Sequence, residues 1–136
     1  MWIAALALAG LASAPPVDVQ ASYQPPAKGK GAAVSVTLVP SDLDVHVNQT
    51  PAPRLKLDPA AALTQPAAPV KPEVVPLDPD QVRYLDPVVP VLFPVSAAKG
   101  APAGPHEVPA SVVYYYCSKR EGWCRRGATD VTLHVP

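Results

Sequence analysis

Proline decides what this chain can become. Twenty of its 136 residues are proline and seven are glycine, scattered from one end to the other. An internal proline costs a helix about 3 kcal/mol through its missing N–H and its ring clash, so long helices are excluded and short extended segments between turns remain. The same composition invites disorder, because proline, glycine, serine and glutamine together reach the range of low-complexity chains. Against disorder stand an apolar fraction of 49% and several runs in which apolar and polar residues alternate, a pattern an unfolded chain has no reason to keep.

Those runs predict the strands. Ala33 to Val39 sets Val34, Val36 and Leu38 on one face and Ser35 and Thr37 on the other. Val17 to Tyr23 alternates more weakly, and Leu43 to Asn48 and Arg54 to Leu57 repeat the pattern. Pro59 to Pro79 lacks periodicity and reads mostly as a long loop, with one helical turn over Ala60 to Leu63; Ala97 to Pro105 reads as a second loop. Gln81 to Leu85 and Val88 to Val95 are further strand candidates, which Pro87, Pro90 and Pro94 confine to an edge or break with bulges. A closing hairpin spans Val108 to Val135. About six to eight short strands without a good helix predict an all-β fold, an immunoglobulin-like antiparallel β-sandwich.

The charges balance, with eleven basic and eleven acidic side chains, so nothing calls for nucleic acid or an anionic membrane surface. Residues 1–14 read as a secretory signal peptide: an apolar run, Trp2 to Ala12, ends in the small-x-small Ala12-Ser13-Ala14. It is too short to span a bilayer, which takes about twenty residues. No Lys or Arg precedes the run and Pro15 would follow the cut, which moves the expected cleavage to as late as residue 21. The remaining domain is then 15–136, periplasmic or secreted, where an even cysteine count favours a disulfide.

Both cysteines lie in Tyr114-Tyr115-Tyr116-Cys117-Ser118-Lys119-Arg120-Glu121-Gly122-Trp123-Cys124-Arg125-Arg126, with four of the eight aromatic and four of the eleven basic residues. Cys117 and Cys124 sit at the two strand ends of the closing hairpin, where opposed α-carbons come within bridging distance of about 5.5 Å. Ser118 to Trp123 forms the tip, with Gly122 free to take a positive φ. Two readings are open. The bridge is a staple for a small core poor in large aromatics, or it is reactive, with Lys119, Arg120, Arg125 and Arg126 favouring thiolates. The four cations also suit an ordinary solvated loop, and alternation sends Tyr115 to the face of Cys117 and Tyr114 and Tyr116 to the other, so most of the aromatics are expected in the core.

The order of these features resembles the end of the periplasmic N-terminal domain of the DsbD thiol:disulfide interchange family. The residues that carry the likeness are Tyr114 to Cys117, Gly122-Trp123-Cys124 and the final Thr132-Leu133-His134-Val135-Pro136; upstream, His46-Val47-Asn48 is similar to a segment of some members. The resemblance extends over 17–136. It implies an immunoglobulin-like domain whose cysteine pair, here Cys117 and Cys124, relays electrons from a thioredoxin-like protein or domain to oxidised periplasmic proteins. It also implies a membrane-embedded electron-transfer protein on another chain, since neither a membrane domain nor a thioredoxin domain is recognisable here. The loop between the cysteines has six residues where the best-known member has five, and Arg125-Arg126 replace its Tyr-Pro-Pro. That member's acidic and aromatic cap loop has no matching motif, although Tyr84 and Asp86 lie in the corresponding region.

Other chemistries find little support. His46, His106 and His134 lie in separate segments without the spacing of a zinc motif, and the lone Met1 leaves a blue-copper site without its usual methionine. Asn48-Gln49-Thr50 fits a glycosylation sequon. No phosphate loop, serine nucleophile motif or small-molecule cofactor motif occurs. The rival to a redox relay is therefore a non-enzymatic secreted binding or scaffold module with a purely structural disulfide.

Overall fold

A computed structural model describes residues 16–58, 61–66, 76–78 and 81–136. Residues 1–14, where a signal peptide is expected, lie outside the described residues. Among them the chain is all-β, with eleven strands and no helix.

The alternating segments form the strands for which they are patterned. In β1 (Val17–Gln24) Val17 is buried and Val19, Ala21 and Tyr23 pack against the core, while the residues between them are exposed. Its antiparallel partner β2 (Ala33–Pro40) buries Val34, Val36 and Leu38. In register, Val19 faces Leu38, Ala21 faces Val36 and Tyr23 faces Val34, so the apolar faces coincide. Cleavage as late as residue 21 would remove Val17 to Ala21 from this pairing. A third strand, β8 (Val91–Pro94), pairs with β2 and closes the sheet as an edge; Pro94 ends it, which is where a residue without an N–H is tolerated.

The second sheet is built on a long hairpin. β10 (His106–Ser118) and β11 (Cys124–Val135) pair without interruption from His106 opposite Val135 to Cys117 opposite Cys124. The other side of β10 carries two short strands in succession, β4 (Arg54–Leu57) and, nearer the tip, β3 (Val45–Val47). Val34 and Val36 of the first sheet share one core with Val47, Val108, Val112, Tyr114, Tyr116 and Leu133 of the second.

Three expectations change. The stretch read as loop from Pro59 holds two short strands: β5 (Leu63–Thr64) pairs with β9 (Ser96–Ala97), and β6 (Pro76–Asp78) pairs with β7 (Gln81–Leu85). Their own residues carry no period; pairing with a distant strand makes them extended, and Leu63 belongs to the core instead of a helical turn. Ala60 and 67–75 lie outside the described residues. Leu43 is not a strand residue. It is 97% exposed in a turn where the Asp44 N–H donates to the Asp42 carboxylate and the Val45 N–H to the Asp42 carbonyl, an aspartate-led turn that overrides the alternation. These small additions, with β10 and β11 at 13 and 12 residues, give more strands than expected and two much longer ones.

Candidate functional site

The tip of the β10–β11 hairpin closes in two steps. The Ser118 N–H donates to the Trp123 carbonyl (2.9 Å) and the Gly122 N–H to the Ser118 carbonyl (3.0 Å). Gly122 has φ +74°, the left-handed conformation that a side chain disfavours. The bond from Ser118 to Trp123 makes the next pair, Cys117 and Cys124, a non-hydrogen-bonded one, the pair type with the closest α-carbons. Their Cα–Cα separation is 4.0 Å and a disulfide joins them.

The two sulfurs live in different surroundings. Cys117 is buried at 6% exposure, whereas Cys124 is exposed. Cys117 is absent from the shared core, as alternation requires, because Tyr114 and Tyr116 fill the core face and Cys117 looks the other way. Its cover comes from β3 and β7. His46 is its ladder partner on β3, and the Asn48 carboxamide oxygen lies 3.2 Å from the Cys117 Sγ. The Tyr84 ring stacks on His46 with centroids 4.9 Å apart, and the Lys119 ammonium sits 5.4 Å above Tyr84. A cleft of about 520 Å³ runs beside the disulfide, walled by Asn48, Tyr84, Lys119 and Trp123, with both cysteines on its surface.

The turn before β3 anchors the tip. The Asp44 carboxylate accepts the Ser118 hydroxyl and the Arg120 N–H (2.7 Å), the Asp44 carbonyl accepts the Lys119 N–H (3.2 Å), and the Ser118 hydroxyl in turn accepts the Glu121 N–H (3.1 Å). The Ser118 hydroxyl, followed by the Arg120 N–H and charge and by His46, holds the Asp44 carboxyl below its ordinary range against the opposing effect of desolvation. Burial, and then the Lys119 charge, keep the His46 imidazole below its usual value, with Asp44 pulling the other way.

The basic residues are exposed but not idle. Arg125 stacks 4.4 Å over the Trp123 ring, Lys119 covers Tyr84, and Arg126 shares the face of Cys124. Of the tyrosines before the first cysteine, Tyr114 and Tyr116 are core and Tyr115 is half-buried. Trp123 bridges core and cleft, meeting Tyr116 edge-on at 5.8 Å.

Sequence reasoning named Cys117 and Cys124 and met His46 and Asn48 only in a family-like segment, a metal search and a sequon, but it did not place Asp44, Ser118, Asn48 or His46 around the cysteine pair, and left Tyr84 without a motif. Asp44 to Asn48 reach the sulfurs through the β3–β10 ladder, roughly seventy positions along the chain, so no local signal announces them. Tyr84 does reach the cleft, while Asp86 accepts the Val88 N–H in its own turn. His106 and His134 lie at the opposite end of the hairpin from the sulfurs. Asn48 points its side chain at the disulfide, away from the exposed position a sugar would need. In comparisons with known proteins, no family model, no curated protein and no solved structure matches this chain.

Proposed function

We propose that this chain is an exported thiol-disulfide exchange domain of the DsbD N-terminal type, immunoglobulin-like in fold, in which Cys117 and Cys124 relay electrons from a thioredoxin-like dithiol protein to oxidised periplasmic or secreted proteins. The observation that carries the reading is the asymmetry of the pair: one sulfur exposed beside a cleft at a hairpin tip, the other buried behind it. An exposed sulfur beside a cleft is what a visiting thiolate needs in order to reach the bridge.

The asymmetry supports one direction of attack. A partner thiolate approaches the Cys124 Sγ; the new S–S bond forms there, the Cys117–Cys124 bond breaks, and its electron pair leaves on the Cys117 Sγ. The partner's second thiol, deprotonated, then attacks the partner's own sulfur and expels Cys124 as a thiolate. The two protons of the partner's thiols end on Cys117 and Cys124, and the partner is oxidised by two electrons. Run backwards on an oxidised acceptor, the same steps restore the bridge. A membrane-embedded electron-transfer protein on another chain would keep the donor reduced.

The competing reading, a scaffold module with a structural bridge, draws on the burial of Cys117. Closing an eight-residue ring stabilises by about 2.5 kcal/mol in the chain-entropy model, enough to justify a bridge without redox work. Capture separates the two. With Cys124 as the attacked sulfur, a Cys117→Ser variant should accumulate a mixed disulfide with an oxidised thioredoxin-like protein, and the native pair should equilibrate with such proteins. A bridge that stays oxidised below about −300 mV, with no mixed disulfide from the variant, would end the relay reading.

A further inference from the structure

We infer that Asn48 is the positioning residue that stabilises the leaving sulfur of this site, its carboxamide holding the Cys117 sulfur in whichever protonation state exchange leaves it; the inference rests on the thiol-disulfide reading above. In the bridged form the Cys117 Sγ carries no hydrogen, and neither does the Asn48 Oδ1 that lies 3.2 Å away. Two lone pairs therefore face each other. Turning the amide over about its terminal torsion exchanges oxygen for nitrogen at the same place and aims an N–H donor at the sulfur.

Cys117 is the sulfur that departs as an anion when Cys124 is attacked, and it departs into a position only 6% exposed. Water cannot solvate a charge there fully, so the anion depends on protein donors. Asn48 is the side chain in contact, and its backbone is fixed from two sides: its N–H donates to the Tyr115 carbonyl (2.7 Å), and it bridges to Tyr84 on β7. The carboxamide is held over the sulfur by the sheet rather than by its own rotamer preference. A carboxamide also suits both halves of the cycle. Its N–H donates to the thiolate as the bridge opens, and its oxygen accepts from the S–H once the thiol is protonated. An aspartate in its place would set one anion against another.

The test is made on the full chain carrying Cys124→Ser, in which Cys117 is the one thiol, by following thiolate ultraviolet absorbance against pH. Asn48→Ala should move the titration midpoint upward by about one unit, and Asn48→Asp further in the same direction. With both cysteines present, Asn48→Ala should slow opening of the bridge by dithiothreitol about threefold, because only part of the anion's charge has developed in the transition state. Unchanged midpoints in both variants, with native circular dichroism, would overturn the inference. Because dithiothreitol is not a protein partner, failure of the chain to exchange with thioredoxin-like proteins would refute the relay and leave this result standing.

Discussion

Gly127→Ala should destabilise the hairpin although glycine is the poorer strand residue. Gly127 lies opposite Tyr114 in the β10–β11 register, and the Tyr114 ring lies over its α-carbon. A Cβ added there would stand 2.5 Å from Cζ, 2.6 Å from Cε2 and 2.8 Å from the hydroxyl of Tyr114. Relaxed contacts between such atoms need about 3.5 Å, so the ring has to retreat by about 1 Å. It has little room: Tyr114 is 3% exposed, the Tyr116 ring is 5.7 Å away, and its hydroxyl sits beside Thr129. Overpacking of this size costs about 1–3 kcal/mol, against the roughly 0.5–1 kcal/mol that alanine gains over glycine in a strand. The net loss should be about 1–2 kcal/mol in urea unfolding of the oxidised protein. In a Tyr114→Leu background the clashing atoms are gone, and the same substitution should become neutral or stabilising, a coupling that a double-mutant cycle reads directly. If Gly127→Ala is as stable as the native chain, the ring does not need the bare α-carbon and the argument fails.

Two further predictions concern the groups around the tip. Because His46 is held below its ordinary value of 6.5, the unfolded chain binds a proton near that pH that the folded chain does not. Stability should therefore fall as pH drops from about 6.5 towards the folded-state value, and His46→Gln should flatten that part of a thermal-melt pH series. Asp44 has the opposite origin and the same sign: its lowered carboxyl contributes stability above the unfolded value of 3.8, lost as pH falls through the folded one. Asp44→Ala should speed hydrogen exchange at the Arg120 amide while leaving the middle of the ladder, at Val112 and Val113, protected.

How much of this was legible in the sequence depends on how far the information lay from the residue it governs. Val34, Val36 and Leu38 announce a buried face by alternating with Ser35 and Thr37 along one short run, and the structure buries them. The cysteine pair was equally open to reading, because hairpin register is local and Gly122 marks the turn. Leu43 misled because alternation cannot see that Asp42 will fold its own side chain onto the Asp44 N–H. β5 and β9 were invisible for the complementary reason: two-residue strands have no period, and only the tertiary pairing of Leu63 with Ala97 defines them. In the site the division is the same. The two cysteines belong to one hairpin and their pairing could be read, whereas the approach of Asp44, His46, Asn48 and Tyr84 from other strands could not.

That division has a consequence for the reduced protein. Opening the bridge removes one covalent tie worth about 2.5 kcal/mol, but the ladder from His106 to Cys117 and the Asp44 contacts at the tip do not involve sulfur. The residues that hold the tip in register are thus distinct from the bridged cysteines. With these ties in place Cys117 and Cys124 remain opposed after reduction, so reclosure is an intramolecular step at high effective concentration. An isolated hairpin would lose that advantage, since two strands alone are marginally stable in water. The short strand β3 therefore does more than extend a sheet: it carries His46 and leads into Asn48 on the sulfur's covered side, and the turn before it ties the tip down through Asp44.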